Sequence, residues 1–348
     1  MSIVVLQLPE VKVIEESRPT QCPHCPGETF QRWGGSVRKV KDPQIKEVIV
    51  YRYRCCRCHR TFRHYPQGIS QAQQTERMRI LAAMGWLLGL SYRGIAGLYA
   101  AFGVVISRMT SWRDVQELAQ QHLAKWKGKQ VRVIGVDGAY VLGRGKKQPV
   151  LVVIDLGTGQ PIKVGYVDEK DPQKVKKFLQ PLVKQLGVSV IVTDDLFSYK
   201  RVADDLLLEQ QICQFHVRRW VGRTLHELKD TLNTKWAWMI EEVRQVIDDL
   251  PAEGDKRLLT LYRQLPPSKM GRPGADYTPL EKLRSVIIRL AENWARFRVF
   301  DWQPDVPWTN NPTEHVIGKM KMRARTVRGY KNRSGMTSGL MVAGSGVT

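Results

Sequence analysis

The sequence predicts an α/β protein in which a mixed five-stranded sheet with helices is preceded by smaller segments. Three observations lead to this prediction. The middle of the chain alternates β-rich apolar runs with helical periodicity, in the order β-β-β-α-β-α-β. The first and fourth of these runs lead into aspartates, Asp137 and Asp194. Five of the six cysteines crowd before residue 60, which in a reducing compartment favours a metal site over disulfides.

Length and charge limit what the chain can do. Its 348 residues suffice for two or three domains, and 43% hydrophobic residues are typical of a globular protein. The 55 Lys and Arg against 33 Asp and Glu give a net charge of +22 and a pI near 9.9. This excess predicts a polyanionic partner, most often nucleic acid, although a basic protein without that role is the alternative. Because no apolar run reaches membrane-spanning length and no signal peptide is recognisable, we expect no membrane partner and a cytoplasmic, nucleoid-associated location.

Residues 1–68 contain two C-x2-C pairs, Cys22 with Cys25 and Cys55 with Cys58, separated by strand-like runs. Four thiolates in two such pairs match a tetrahedral structural Zn²⁺, so we predict a zinc ribbon with four cysteine ligands. So small a segment would depend on the metal for its stability. Unrelated buried cysteines are the alternative. The many arginines of this segment favour contact with a DNA backbone, while a protein-contact module is the other possibility.

Residues 69–127 predict a helix-turn-helix DNA-binding domain. Apolar residues have helical spacing over 73–88, and a second helix follows with Ser91 as its N-cap. Gly103 breaks that helix, and Ser107 is a candidate N-cap for a third. In helix-turn-helix motifs the second helix of the pair enters the major groove. The residues expected to face DNA are Arg108, Ser111 and Arg113. A helical hairpin that binds nothing is the alternative.

Residues 128–348 form the third predicted domain, which begins with the alternating α/β pattern. The strands are expected over 131–136, 148–155, 161–167, 188–193 and 211–215, and the helices over 171–186 and 199–208. This order is the ribonuclease-H-like plan, in which Asp137 and Asp194 would lie side by side on neighbouring strands. Two close carboxylates repel each other unless a divalent cation neutralises them, and hard oxygen ligands select Mg²⁺ or Mn²⁺.

The assignment of these acids leaves alternatives open. Asp137 and Asp194 could be ordinary aspartates of strand ends or turns. Asp195 competes with Asp194, which we prefer because it comes first after the apolar strand. Asp155 also ends a strand, but it opens a Gly-Thr-Gly hairpin turn and is expected to serve that turn.

The rest of the third domain is helical and basic. An all-helical insertion is predicted at about 222–300, because a ribonuclease-H core does not need this much chain there. Glu314 then lies in the first turn of a basic helix, either as a third metal ligand or as a capping-box glutamate. The basic residues expected to follow a phosphate backbone are Lys319, Lys321, Arg323, Arg325 and Arg328.

Four motifs together resemble the DDE transposases of prokaryotic insertion sequences, in the broad group related to mutator-like elements. They are Gly135–Gly138, Val192–Asp195, Cys213–His216 and Thr309–Glu314. The resemblance implies that two divalent metals are bound by three acids, Asp137, Asp194 and Glu314. It also identifies Cys213 and His216 as the family's C-x2-H mark, and Lys321, seven residues past Glu314, as a contact to the element end.

The same resemblance implies an enzyme, a two-metal DDE polynucleotidyl transferase. Such an enzyme binds the terminal inverted repeats of an insertion sequence and catalyses metal-dependent DNA cleavage and strand transfer. The expected cofactors are Mg²⁺ or Mn²⁺ at the catalytic site and structural Zn²⁺ in the ribbon. The expected partners are double-stranded DNA, as element ends and target, and further copies of the chain in a homodimer or larger assembly on DNA. A catalytically inactive, transposase-derived DNA-binding regulator and a structure-specific nuclease on the same fold are the alternatives.

Overall fold

The structure is a computed structural model that describes residues 18–143, 145–268, 277–327 and 330–346. The chain divides into two compact units. The first comprises Met1–His122, Arg323–Tyr330 and Ser334–Thr348, and the second Leu123–Met322 and Lys331–Arg333. The first unit thus groups the ribbon and helix-turn-helix segments with the C-terminal helix. The predicted boundaries after residues 68 and 127 stay predictions. Within the described ranges, no helix is long and apolar enough to cross a membrane.

The first unit begins with a small antiparallel sheet. Its strands are β1 (Phe30–Lys39), β2 (Glu47–Cys55) and β3 (Thr61–His64), in the spatial order β1-β2-β3. β1 and β2 cover the two predicted strand-like runs, and β3 was not predicted. Val48 and Val50 of β2 face a core of a few aliphatic side chains. So small a core cannot hold a fold by burial alone, which agrees with dependence on a metal.

Three helices follow the ribbon: α1 (Glu76–Leu87), α2 (Tyr92–Ala101) and α3 (Arg108–Ala124). Both predicted N-caps are confirmed, because the Ser91 hydroxyl accepts the Gly94 N–H at 3.0 Å and the Ser107 hydroxyl accepts the Thr110 N–H at 3.1 Å. Gly103 between α2 and α3 has a left-handed φ of +71°, which glycine adopts without strain. The helical elements predicted for this segment are therefore present.

The expectation that Ser111 faces DNA is wrong. Arg108 and Arg113 are exposed, but Ser111 is fully buried. Ser111 lies one helical turn before the buried Val115, so both side chains occupy the face of α3 that packs inward. The two arginines remain candidates for DNA contact.

A buried ion pair joins the ribbon to the helices of the same unit. Asp42 accepts Nε of Arg77 at 2.8 Å and the hydroxyl of Thr75 at 2.6 Å. Burial would raise the pKa of Asp42, but Arg77 and Thr75 outweigh it and lower that pKa to about 2. The loop between β1 and β2 is thereby fastened to the first turn of α1.

The second unit contains the predicted mixed five-stranded sheet. Its strands are β4 (Val133–Gly143), β5 (Lys146–Asp155), β6 (Pro161–Gly165), β7 (Val190–Thr193) and β8 (Glu209–Ile212). Their spatial order is β6-β5-β4-β7-β8. The pairs β4–β5 and β5–β6 are antiparallel, while β4–β7 and β7–β8 are parallel. The prediction of an α/β fold with this sheet is confirmed.

Two helices of the second unit pack against this sheet: α4 (Pro172–Leu186) and α5 (Phe197–Asp205). Asp171 caps α4 by accepting the N–H groups of Gln173 and Lys174, each at 3.1 Å. Gly187 ends the helix in a left-handed conformation with φ +70°. Both boundaries agree with the sequence prediction.

The chain after β8 is helical in its described part. The helices are α6 (Gln214–Lys229), α7 (Ala237–Asp249), α8 (Gly254–Gln264), α9 (Pro279–Glu292), α10 (Val299–Trp302), α11 (Asn311–Thr326) and α12 (Arg333–Ser345). Helices α6 to α9 share a hydrophobic core that includes Leu225, Val243 and Leu283. This part of the chain is helical, as predicted for the insertion at about 222–300.

Candidate metal centres

Asp137 does not end its strand, so that expectation is wrong. β4 continues to Gly143 because the hairpin with β5 extends beyond the aspartate and pairs Asp137 with Val152. What ends near Asp137 is the parallel pairing with β7, whose last paired residue opposite β4 is Val192. β7 stops at Thr193, and Asp194 follows it. The two aspartates therefore lie at the same edge of the parallel part of the sheet.

Adjacent aspartates after β7 have different partners. Asp195, with a side chain 3% exposed, contacts Nζ of Lys200 at 2.5 Å and accepts Nε of Arg289 at 2.7 Å. Asp194 is half-buried, and its Oδ1 lies 2.8 Å from Nδ1 of His216. The charge of Asp195 is thus compensated by two cations, whereas Asp194 faces the candidate site.

His216 brings the second aspartate and the glutamate together. Its Nδ1 contacts Asp194, and its Nε2 lies 3.5 Å from Oε1 of Glu314. His216 stands in the first turn of α6, and Glu314 stands in the first turn of α11. Three separate elements, β7, α6 and α11, therefore place these groups around one imidazole.

The start of α11 is fixed to β4 by buried polar contacts. Asn310 donates from Nδ2 to the carbonyl of Val136 at 3.1 Å, and its backbone N–H donates to Sγ of Cys213 at 3.2 Å. The Thr313 hydroxyl donates to Oδ1 of Asn310 at 2.5 Å. A Cβ at Gly135 would overlap with this Thr313 hydroxyl. These contacts explain why the motifs that carry Asp137 and Glu314 need Gly135, Cys213 and Asn310.

The acids of the site act on each other's protonation. The pKa of Asp137 is raised to about 7, mainly by burial and then by the charges of Asp194 and Glu169; the Gly138 N–H and His216 partly oppose this. Contact with Asp194, and then with Cys213, raises the pKa of His216 to about 10 despite partial burial. The site is therefore a crowded set of carboxylates beside one cationic imidazole.

Glu169 also lies near these acids, although no sequence pattern predicts it. It lies in the loop between β6 and α4, and its Oε2 accepts the hydroxyl of Tyr199 at 2.9 Å. A Cβ at Gly138 would overlap with its carboxylate. In the sequence, Glu169 stands in the polar run 168–171, which is typical of a helix start, so nothing there distinguishes it.

The acidic set fits a hard divalent cation. Oδ1 of Asp194 and Oε1 of Glu314 are shielded from solvent and lack a well-directed hydrogen bond within the described part of the chain. Carboxylate oxygens are the ligands that Mg²⁺ and Mn²⁺ prefer. Ligand atoms of Asp194, Cys213 and His216 also lie within 4.8 Å of one another, but this mixed oxygen, sulfur and nitrogen set would suit a softer metal.

A cysteine cluster in the first unit forms a second candidate centre. The Sγ atoms of Cys22, Cys25, Cys55 and Cys58 all lie within 4.8 Å of one another. Cys22 and Cys58 are 3.7 Å apart, and Cys25 and Cys55 are 3.6 Å apart. Zn–S bonds of about 2.3 Å in a tetrahedron place sulfurs about 3.8 Å apart, so the cluster fits zinc. Cys56 is exposed and lies outside the cluster.

The basic residues of α11 divide by exposure. Lys319, Lys321 and Arg325 are exposed. Arg323 is 4% exposed, because its guanidinium lies 4.2 Å from the ring centroid of Trp86 and donates to the carbonyl of Leu90 at 3.2 Å. The expectation that Arg323 follows a phosphate backbone is therefore wrong. Arg328 lies outside the described residues.

Comparison with known proteins identifies relatives. The model of the family described as "Transposase IS66 family" matches residues 164–338, half of the chain. An insertion element ISM1 uncharacterized 48.3 kDa protein of Methanobrevibacter smithii is 21% identical over 217 residues, which cover 60% of this chain and 53% of the relative. The chain thus spans about half the length of that curated relative. The solved Drosophila P element transposase strand transfer complex is 9% identical, with a TM-score of 0.41, over 76% of this chain and 91% of that chain.

The family match confirms the expectation of a transposase from an insertion sequence. It covers Asp194, the pair Cys213 and His216, and Glu314. It begins after Asp137 and after the cysteine cluster. The placement close to mutator-like elements stays a prediction.

Proposed function

We propose a function for this chain on the basis of its family, because the chain belongs to the IS66 transposase family. We propose that it is an active transposase, which binds the terminal inverted repeats of an insertion sequence and catalyses DNA cleavage and strand transfer. Asp137, Asp194 and Glu314 are the proposed catalytic acids. The observation that carries this proposal is the meeting of Asp194 and Glu314 at opposite nitrogens of His216, at the edge of the sheet where Asp137 lies.

We assign the second unit to the ribonuclease-H-like fold class. Two observations support this assignment. In order of appearance the strands lie 3-2-1-4-5 across the sheet, with the first three antiparallel and the last two parallel to the first. The helices α4 and α5 follow the third and fourth strands and share one core with the sheet.

The proposed chemistry is metal-dependent phosphodiester transfer, with Asp137, Asp194 and Glu314 holding Mg²⁺ or Mn²⁺. When bound, the metal supplies activation of a water or 3′-hydroxyl and charge relief on the leaving oxygen. Among the groups of the chain itself, Asn310 and Cys213 fix the start of α11 and so the reach of Glu314. Partial burial of Asp137, with the nearby charges of Asp194 and Glu169, raises its pKa and makes the charge of that carboxylate responsive to a nearby cation.

The proposed partner is double-stranded DNA, as element ends and as target. The net charge of +22 supports this, because neutralising phosphates releases counterions. In the first unit, we propose that two elements recognise the element end. They are the exposed Arg108 and Arg113 of α3 and the ribbon that carries the four-cysteine cluster. In the second unit, Lys319 and Lys321 lie exposed on α11 beyond Glu314 and are proposed to contact the phosphate backbone. A homodimer or larger assembly on DNA is part of the proposal.

A strand-transfer assay with the element's own ends and Mg²⁺ tests the proposal. We expect Asp137→Ala and Glu314→Ala each to lower strand transfer by about a thousandfold or more, because each removes a carboxylate that positions the metal. Glu241→Ala, which removes an exposed carboxylate of α7, is the matched control and should transfer strands like the wild type. Undiminished transfer by either acid variant would refute the catalytic assignment.

The same assay separates the alternatives. An inactive DNA-binding regulator would bind the element ends without cutting them. A structure-specific nuclease would cut with no dependence on the end sequence, so scrambled ends would be cut as fast as native ones. The presence of all three acids, two of them (Asp194 and Glu314) in contact with His216, favours the active transposase.

A further inference from the structure

We propose that Glu169 is a fourth metal-binding carboxylate of the acidic centre, the site with Asp137, Asp194 and Glu314, and that Tyr199 holds it in place. This inference rests on the proposed function, because it concerns the same divalent cations. Glu169 lies in the loop between β6 and α4, outside the three motifs that carry Asp137, Asp194 and Glu314.

Glu169 lies beside Asp137 because a glycine leaves room for it. Gly138 follows Asp137 on β4, and a Cβ at Gly138 would overlap with the carboxylate of Glu169. The Gly138 N–H donates to Oδ1 of Asp137 at 2.7 Å. Both carboxylates therefore lie against the same glycine, whose missing side chain lets Glu169 approach the strand.

Tyr199 anchors Glu169 to the core of the second unit. Tyr199 of α5 is fully buried in the core of the second unit, and its hydroxyl donates to Oε2 of Glu169 at 2.9 Å. A surface glutamate gains little from such a partner, since its carboxylate is well solvated by water. Here one oxygen is held by the core, which orients the other, Oε1, for a second partner. Metal-binding carboxylates are commonly oriented by such hydrogen bonds.

The charge of Glu169 also favours a bound cation. Asp137, Asp194, Glu314 and Glu169 carry four negative charges when ionised, and His216 supplies one positive charge. Without a further cation, a fourth carboxylate at this place adds repulsion to a site that already contains three. Two divalent cations would add four positive charges, and with His216 the site would then carry a net charge of +1 with Glu169 and +2 without it. Glu169 is therefore unfavourable in the metal-free site and favourable in the metal-bound one.

Titration of the full-length chain with Mn²⁺ in the absence of DNA tests this assignment by calorimetry. Glu169→Gln keeps the volume and an acceptor for Tyr199 but loses the charge, so we expect Mn²⁺ affinity to fall at least about tenfold. Tyr199→Phe should weaken it less, by a few fold, because the carboxylate remains but loses its anchor. Asp168→Asn, a change of the neighbouring acid whose side chain accepts the Lys170 N–H, is the matched control and should bind like the wild type.

A double-mutant cycle tests the position itself. Gly138→Ala should weaken Mn²⁺ binding about as much as Glu169→Gln, because the added methyl group displaces the carboxylate. In a Glu169→Ala background this methyl group has room, so Gly138→Ala should add no further loss. Additive losses in the double variant would overturn the assigned position of Glu169.

The outcomes separate this inference from the proposed function. Unchanged Mn²⁺ affinity in Glu169→Gln, together with lost affinity in Asp137→Asn, overturns the inference and leaves the proposed function standing. Absent Mn²⁺ binding in the wild type, together with absent strand transfer, overturns both. Weakened binding in Glu169→Gln, with an unfolding temperature in metal-free buffer that is unchanged or raised, supports the inference, since a structural role would lower that temperature.

Discussion

The cysteine cluster and the acidic centre are two candidate metal sites that the chain builds in different ways. The four cysteines come from the two C-x2-C pairs, which lie at the two ends of a single hairpin. The acids come from β4, the end of β7 and the start of α11, far apart in the sequence. A local site can thus be recognised from spacing, whereas a dispersed site can be recognised only through the fold that assembles it.

The two sites also differ in what they do to the fold. Four thiolates complete the coordination of a tetrahedral metal and leave no open position, which is typical of a structural site. The acidic centre instead brings together partly buried carboxylates that repel each other, as the raised pKa of Asp137 indicates. The first site should therefore add to the stability of the chain, and the second should subtract from it until a cation binds.

The largest expected effect comes from a substitution that breaks the cysteine cluster. Cys55→Ser removes one ligand from a buried position, and we expect the ribbon to lose its metal and unfold. Structural zinc contributes on the order of 10 kcal/mol in isolated modules. Zinc content and hydrogen exchange of β2 measure the result, with the exposed Cys56→Ser as control. A protected β2 in a zinc-free variant would contradict the structural role.

The next effect separates the neighbouring aspartates. Asp195→Asn breaks contacts with Lys200 and Arg289 and should lower the free energy of unfolding by about 2–4 kcal/mol, a value reduced because Arg289 is partly exposed. Asp194→Asn should cost less than Asp195→Asn, because the lost contact with His216 is offset by removal of a charge that repels Asp137. Urea unfolding in magnesium-free buffer measures both. Equal losses would show that Asp194 is as much a structural residue as its neighbour.

A smaller effect appears in the pH dependence of stability. The pKa of Asp137 is about 7 in the fold and near its ordinary value of 3.8 when unfolded, so the folded state binds the proton more tightly. The stability contributed by this group is complete below about pH 4 and is lost as pH rises through 7. Asp137→Asn lacks this loss, so its gain over the wild type should grow by about 2 kcal/mol from pH 5 to pH 8. Urea unfolding at both pH values, without magnesium, measures the gain; a constant difference would mean that Asp137 is solvated.

The smallest expected effect concerns DNA binding by the first unit. Arg113→Ala removes an exposed cation of α3 and should weaken binding to an element end by about 1 kcal/mol, with a lower salt dependence. Ser111→Ala lies two residues away but changes a buried side chain, so affinity should stay the same. Fluorescence anisotropy over a range of salt concentrations measures both. Equal loss in the two variants would point to disturbed packing of α3 instead of a lost DNA contact.

Much of the fold could be predicted because its signals are local. The cap at Asp171, the left-handed Gly187 and the alternation in β2 each depend on a few neighbouring residues. The extension of β4 past Asp137 could not be predicted, because it depends on pairing with β5 across the hairpin. Short-range patterns therefore determined the type of each element better than its ends.

Exposure was the weaker part of the prediction. Ser111 and Arg323 are polar residues on helices, and both were expected to face DNA, yet both are buried. Which face of a helix is covered depends on distant partners, such as Trp86 for Arg323. Glu169 was missed for the same reason, since its closeness to Gly138 arises from the packing of a loop on the sheet. Long-range packing leaves no fixed spacing in the sequence.

The pairing of Asp195 with Arg289 links the helical insertion to the loop that carries Asp194. Arg289 belongs to α9 and donates both to the side chain and to the backbone carbonyl of Asp195, one residue after Asp194. A displacement of α9 would therefore pull directly on the peptide that orients the proposed catalytic aspartate. Exchange of this insertion between related transposases would have to preserve Arg289. The insertion has a hydrophobic core of its own, but through this arginine it also positions the loop that carries Asp194.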